Sequence, residues 1–471
     1  MQRGVLGTEM LAPARVMDGV ALAVVIGAWL LGTPALAQSA GAPSDTTPRT
    51  LAQAFAHARQ ALGRGDQNGA RRALEIARKF VPNDGSVLVY LARAQALTGD
   101  PGDALRTLER LAIQGAVVDL AADTAFRSLR VAPYAIRFAA ATRQLARASA
   151  PLVRSDTAFV LEDPDFIPEG IAHDPARDVF YVGSLVGGGV LRLMRDGSAV
   201  SFFSSTATAP PQVLGIRIDA PARRLWLAAL FPDTAAPQFA RGSGGWAALH
   251  AYDLESGELV ARHPAPDSTR PHLLNDIALT PNGDVYVTDS EGAALFRLRA
   301  GSAALERVPI GSQSFTYPNG IAVTADGARV YVAHVEGLSV LDLRARNDTL
   351  MRVLAPPGEP TGGIDGLYAC GTALYAIQSR FGFQQVTRFQ LSADGRRITR
   401  SEALERRHPA YDAATTGALV AGAMFYIANA QLRRLASDNT LAPTDKPMRS
   451  VILRLPIRDS CNRTSGPART R

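Results

Sequence analysis

One phrase recurs six times in this sequence, and it constrains the fold more than any other feature. Each copy has a small-residue turn, an apolar run, a turn such as Pro-Asn-Gly or Ala-Asp-Gly, and a second apolar run of Val-Tyr-Val type. The copies begin at Gly170-Ile171, Gly215-Ile216, Asp276-Ile277, Gly320-Ile321, Gly366-Leu367 and Gly417-Ala418, at spacings of 45, 61, 44, 46 and 51 residues. Short β-rich runs repeating at that interval are the signature of propeller blades, and six units make a closed ring. The second strands are expected at 179–182, 225–230, 285–288, 330–333, 373–377 and 424–428. Apolar runs at 158–161 and 451–457 flank the series, and one of them is expected to complete a blade made from both chain ends, leaving no open edge.

The same alignment locates a candidate site. The first strand of each blade lines the central channel, so equivalent positions face one another around the axis. The residue before each turn is, in order, Glu169, Leu214, Asn275, Asn319, Asp365 and Thr416. Four of the six carry carboxylate or carboxamide oxygens, without cysteine or histidine. That is a donor set for a hard cation, Ca²⁺ best, with another divalent cation as an alternative, and it disfavours zinc and copper. The competing explanation is that Asn-Gly and Asp-Gly merely form tight turns, which does not account for Glu169.

The phrases Pro168-Glu169-Gly170-Ile171, Leu274-Asn275-Asp276-Ile277, Pro318-Asn319-Gly320-Ile321 and Ile364-Asp365-Gly366-Leu367 resemble the SMP-30/gluconolactonase/LRE-like family over residues 156–457. The resemblance implies a catalytic divalent cation, usually calcium, and lactone hydrolysis. It makes Glu169, Asn319 and Asp365 direct ligands. Asn275 becomes a ligand or the holder of bound water and substrate, and Asp365 doubles as the base. Leu273 stands where gluconolactonases have a sugar-binding Arg. Leu214 and Phe231 stand where the related paraoxonases have histidines, which implies a more apolar wall.

The ends of the second strands should form an outer polar ring of Ser184, Asp289, His334, Ser379 and Asn429. Asp289 and His334 are candidate acids or bases; hairpin or inter-blade hydrogen bonding is the competing role. His173, His250, His272 and His408 have no metal-ligand spacing and read as structural. The 61-residue interval reflects a Pro/Ala/Gly-rich insertion at 231–245, a lid or an ordinary surface loop. No Gly-x-Ser-x-Gly elbow is present, which argues against a serine hydrolase.

Ahead of the strands the period changes. Residues 50–150 show apolar spacing of three and four, the mark of amphipathic helix. Gly65-Asp66, Ala70 and Leu74 recur 34 positions later as Gly99-Asp100, Ala104 and Leu108. The segment resembles tetratricopeptide repeats, serving as a cap on the propeller or as a groove for a protein partner. Arg3 and Arg15 precede an apolar stretch at 19–31 and then Ala35-Leu36-Ala37, which reads as a signal peptide. Export to the periplasm or medium is therefore expected, with no stable membrane span after cleavage. Cys370 and Cys461 either pair there or remain free thiols.

The expected organisation is a signal peptide (1–37), a linker (38–49), a helical-repeat domain (50–150), an all-β six-bladed propeller (156–457) and a tail (458–471). A net charge of +7 is scattered, without a long basic run, and does not suggest a nucleic-acid partner. The expected function is Ca²⁺-dependent opening of a small-molecule lactone or ester. The alternative is a non-enzymatic binding or scaffold protein, since both architectures are common recognition platforms. A bond-forming enzyme like strictosidine synthase fits the four oxygen donors less well.

Overall fold

The computed structural model describes residues 47–461 apart from 115, 117, 119, 121, 149, 187–188, 204–210, 232–240, 243–244, 268–270, 314, 346–348, 380–383, 436–440, 443, 445–446 and 460. The signal-peptide reading, most of the linker and tail, and most of the 231–245 insertion lie outside the described residues.

Six antiparallel sheets form a six-bladed β-propeller. Blade 1 comprises Pro168–Asp174, Val179–Ser184, Val190–Leu193 and Ala199–Ser201. Blade 2 comprises Gln212–Asp219, Arg224–Phe231, Gly245–Asp253 and Leu259–Pro264, with the short strand Arg241–Gly242 alongside. Blade 3 runs through Leu274–Leu279, Val285–Asp289, Ala294–Leu298 and Glu306–Arg307, and blade 4 through Ile321–Val323, Arg329–His334, Gly337–Asp342 and Met351–Arg352. Blade 5 consists of Ile364–Cys370, Ala373–Gln378, Gln385–Leu391 and Ile398–Arg406. Each inner strand touches the next, and the sixth touches the first.

Both flanking runs enter the closing blade. Gly417–Val420 and Ala423–Ile427 are its inner strands, Val451–Pro456 is the third, and the earlier segment Asp156–Val160 pairs with it as the outermost. Closure thus ties the beginning of the strand-rich region to its end. The Cys370–Cys461 disulfide, with a Cα–Cα distance of 5.0 Å, fastens the chain after this third strand to blade 5. Asp459 reinforces the junction by accepting from Tyr375 Oη at 2.7 Å and Arg388 Nε at 2.8 Å.

The Val-Tyr-Val phrase gains a physical meaning here. Tyr181, Tyr286, Tyr331, Tyr375 and Tyr426 lie in the second strands and are fully buried. Such a ring supplies large apolar area, and its hydroxyl needs a partner when buried. Tyr331 finds one in the Gly395 carbonyl of blade 5 at 2.9 Å, and Tyr426 one in Ser155 at 3.2 Å.

The helical region consists of α1 (Leu51–Gly63), α2 (Gln67–Phe80), α3 (Gly85–Leu97), α4 (Pro101–Gln114), a 3₁₀ turn (Thr124–Arg130) and α5 (Ala135–Ala148). The 34-residue repeat falls on two helical hairpins. Gly65 and Gly99 adopt φ of 72° and 84°, a left-handed conformation that glycine enters without a Cβ penalty. Asp66 and Asp100 then accept from the backbone N–H three residues on, at 2.8 and 3.1 Å, and start the following helices. Ala70 and Ala104 are fully buried between helices. Among the described residues no helix is long and apolar enough to cross a membrane.

This region docks on the propeller beside blades 4 and 5. Val335, just past the second strand of blade 4, packs against the α1–α3 core. Asn83 accepts from Arg110 and Gln114, both at 3.0 Å, and donates to the Glu359 carbonyl at 3.3 Å. A crevice of about 420 Å³ lies along the junction, bordered by Asn83, Asp84, Arg110, Glu336 and Glu359.

Asp84 caps α3 through Val87 N at 2.8 Å, while burial pushes its carboxyl up to about 7 from the ordinary 3.8. The fold therefore prefers the protonated form. Its stability contribution is fully present below pH 3.8 and is lost as pH rises through about 7. Asp84→Asn keeps the cap without the charge. It is expected to raise stability at alkaline pH by up to about 4 kcal/mol and to leave acidic pH unchanged, as measured by urea unfolding across pH.

Candidate functional site

The ring of oxygen donors depends on how closely adjacent inner strands approach. A Cβ on Gly170 would lie 2.5 Å from the Leu214 carbonyl, one on Gly215 2.1 Å from the Asn275 carbonyl, and one on Gly320 2.5 Å from the Asp365 carbonyl. Each glycine thus lets its strand rest against the backbone of the next channel residue. Hydroxyls complete the arrangement elsewhere: Thr416 Oγ1 donates to the Glu169 carbonyl at 2.6 Å, and Thr288 Oγ1 to the Asn319 carbonyl at 2.8 Å. These contacts hold the backbone of the donor residues around the axis.

Glu169, Asn275, Asn319 and Asp365 are all buried, with exposures of 4%, 5%, 3% and 1%. Asn319 Nδ2 donates to Asp365 Oδ1 at 2.7 Å. Asn275 Nδ2 donates to Ser290 Oγ at 3.0 Å, and Ser290 in turn donates to the Pro318 carbonyl at 2.6 Å. With its nitrogen engaged, Asn319 presents Oδ1, which is buried and has no hydrogen-bond partner. Leaving such an acceptor dry is costly, and an oxygen-seeking cation would satisfy it. Among the described residues no three His, Cys, Asp or Glu side chains gather into a metal-binding group. Holding a cation here therefore depends on the carboxamides as well as the two carboxylates, which suits Ca²⁺ or a similar hard ion. Leu214 and Thr416, both buried, complete the ring.

Side chains outside the fourfold set surround it. Ser379 Oγ lies 3.5 Å from Asp365 Oδ2. Below the ring, Arg217 Nη2 is 3.2 Å from the Asp276 carboxylate, and its guanidinium stacks over the Tyr368 ring at 5.4 Å. Burial raises the Asp276 carboxyl above its usual range against the opposing pull of Arg217. Burial also works against the Arg217 charge, yet Asp276 and Tyr368 hold its pKa above the ordinary arginine value. The sequence carried one sign of this cluster: Asp276 occupies a slot that is glycine in the other five blades.

The outer polar ring is largely engaged in hairpin bonding. Asp289 Oδ2 is 2.5 Å from His272 Nδ1, and Oδ1 accepts from Leu273 N and Gly292 N at 2.9 and 3.0 Å. Burial opposes the His272 charge, but Asp289 lifts its pKa above the ordinary histidine value. His334 bonds Glu336 through Nδ1 and Ser339 through Nε2, each at 2.9 Å, and burial lowers its pKa. Ser184 bonds the Ile167 and Val186 carbonyls, and Asn429 the Arg449 carbonyl. Ser379, by contrast, reaches a channel carboxylate. Periodicity put Asp289 and His334 at the ends of their second strands, as the structure has them, but their partners come from loops whose course has no period.

No family model and no curated protein matches this chain. Several solved structures are similar. A gluconolactonase from Xanthomonas campestris is 18% identical, with 66% of this chain and 93% of that chain covered at a TM-score of 0.44. The calcium-binding protein regucalcin from Agrobacterium tumefaciens is 16% identical, with coverage of 64% and 95% and a TM-score of 0.44. A virginiamycin B lyase from Staphylococcus aureus is 12% identical, with coverage of 63% and 98% and a TM-score of 0.43. The activities in these names belong to those proteins.

The Asp289 geometry yields a stability test. Asp289→Asn leaves buried His272 without its anionic partner and is expected to cost about 3 kcal/mol. The shift of the urea unfolding midpoint measures it.

Proposed function

We propose that this propeller is a metal-dependent hydrolase that opens a lactone or ester at the top of its central channel. Glu169, Asn319 and Asp365 would hold Ca²⁺ or another divalent cation, with Asn275 as a fourth ligand or as the holder of water and substrate. The observation that carries this reading is the buried, partnerless Asn319 Oδ1 within a ring of oxygen donors whose backbone is packed blade against blade.

A cation bound there supplies a Lewis acid that polarises the substrate carbonyl and stabilises the developing oxyanion. The chain's own groups do the rest. Asn319 holds Asp365 Oδ1, and Asp365 Oδ2, 3.5 Å from Ser379 Oγ, would take the proton of the attacking water. The water oxygen bonds to the carbonyl carbon, the acyl carbon–oxygen bond breaks, and the leaving alkoxide receives that proton. Leu214 keeps part of the wall apolar and dry. The bonding of Asp289 and His334 favours positioning roles for them over proton transfer.

The Cys370–Cys461 disulfide supports export to an oxidising compartment. The alternative, a non-enzymatic binding or scaffold protein, is favoured by the helical region. Its 34-residue period supports a tetratricopeptide-like reading, and it exposes Ile113 and Ile136 at 72% and 83%, apolar surface suited to a protein partner.

Hydrolysis of a panel of sugar, γ-alkyl and acyl-homoserine lactones and aryl esters, with calcium and after chelation, tests the reading. Calcium-dependent turnover that falls at least ~100-fold in Asn319→Ala is expected. Calcium binding without turnover on any substrate transfers the reading to the binding protein.

A further inference from the structure

Two departures from the sixfold pattern meet inside the channel. The residue after the channel position is glycine in five inner strands, namely Gly170, Gly215, Gly320, Gly366 and Gly417, and aspartate in blade 3. Asp276 is 1% exposed, and a carboxylate at such depth requires a countercharge and hydrogen bonds. Both its oxygens lie 3.2 Å from Arg217 Nη2 of blade 2. Ile277 N donates to Oδ1 at 2.8 Å, and Ile321 N of blade 4 donates to Oδ2 at 3.3 Å.

The second departure lies three residues beyond each channel position. The series there is Ala172, Arg217, Ala278, Ala322, Tyr368 and Leu419. Blades 2 and 5 are opposite each other in a ring of six, so the stacking of Arg217 on Tyr368 crosses the axis. Tyr368 Oη also accepts from Gly417 N of blade 6. Three residues along a strand is about 10 Å, which places this layer directly beneath the donor ring.

The charges complete the picture. Among the described residues, the buried carboxyls of Glu169, Asp276 and Asp365 share the channel with the Arg217 guanidinium. Asp276 directly follows the channel residue Asn275, and charges about 10 Å apart or closer in a poorly solvated channel interact strongly enough to change affinity by an order of magnitude.

We propose that the Arg217–Asp276 pair is a built-in electrostatic regulator of the cation site, and that Arg217 on Tyr368 closes the channel floor beneath it. This rests on the cation reading above. Arg217 and Asp276 are positioning residues: neither is assigned as a ligand, and each acts through the charge that Glu169 and Asp365 experience. The floor leaves the donor-ring face as the approach for cation and substrate.

Calcium titration calorimetry on the full protein tests the pair through affinity, independently of turnover. Asp276→Asn exposes the site to an unneutralised guanidinium and is expected to weaken calcium binding roughly tenfold or more. Arg217→Met keeps bulk over Tyr368 while removing the positive charge, and is expected to tighten binding by a similar factor. Arg217→Lys should bind within about threefold of the wild type, as should the double variant Arg217→Met/Asp276→Asn, because both preserve the charge balance. If Arg217→Met does not fold, Asp276→Asn and the double variant decide the matter. Affinities within about twofold of wild type in Asp276→Asn and Arg217→Met, with only a lower melting midpoint, would reduce the pair to packing and overturn the proposal. A wild-type protein that binds no divalent cation overturns the cation reading and this inference together.

Discussion

The approach of neighbouring inner strands through glycine is the constraint from which the rest of this molecule follows. At Gly170, Gly215 and Gly320 a side chain would collide with the backbone of the next blade. With hydrogen there instead, one blade's strand rests on the carbonyl of the next blade's channel residue. That contact sets the channel's width, and the width decides whether Glu169, Asn275, Asn319 and Asp365 face one another closely enough to act as one site. The buried tyrosines of the second strands fill the wider space further out, so the blades are wedged apart there and pinched together at the axis.

Ring closure converts these local contacts into a rigid frame. Asp156–Val160 lies outside Val451–Pro456 in blade 6, and the disulfide holds the following segment to blade 5. A ring closed this way leaves only the blades' outer strands as edges, several of them as short as Ala199–Ser201 or Glu306–Arg307, which limits edge-to-edge association. The helical region leans on the hairpin after His334 and on the loop that leads to Asp365. Its docking therefore bears on two of the blades that carry donor residues.

Much of this was legible because it repeats. The six starts, the second strands to within a residue or two and the four donor positions came from a single alignment. The helical hairpins were visible through the 34-residue recurrence of Gly-Asp, whose glycine turns the chain and whose aspartate caps the next helix. Less legible was what each polar side chain does. Asp289 and His334 stood out as chemically capable residues at the ends of second strands, yet their partners are His272 and Glu336. A blade period identifies which residues share a face, whereas the partner of a buried carboxylate is chosen by loop conformations that carry no period.

The sequence by itself determined the number of blades and which residues stand at equivalent channel positions, because these depend on spacing and on residue type at equivalent positions. Tertiary structure alone decided that Cys370 meets Cys461, that Asn319 turns its nitrogen to Asp365, and that Arg217 reaches Asp276 in the next blade and Tyr368 across the axis. Those pairs join residues 46 to 151 positions apart, where local propensity is silent. Burial settles them instead: a charged or polar group enclosed by the ring must find its partner among whatever groups closure brings within reach.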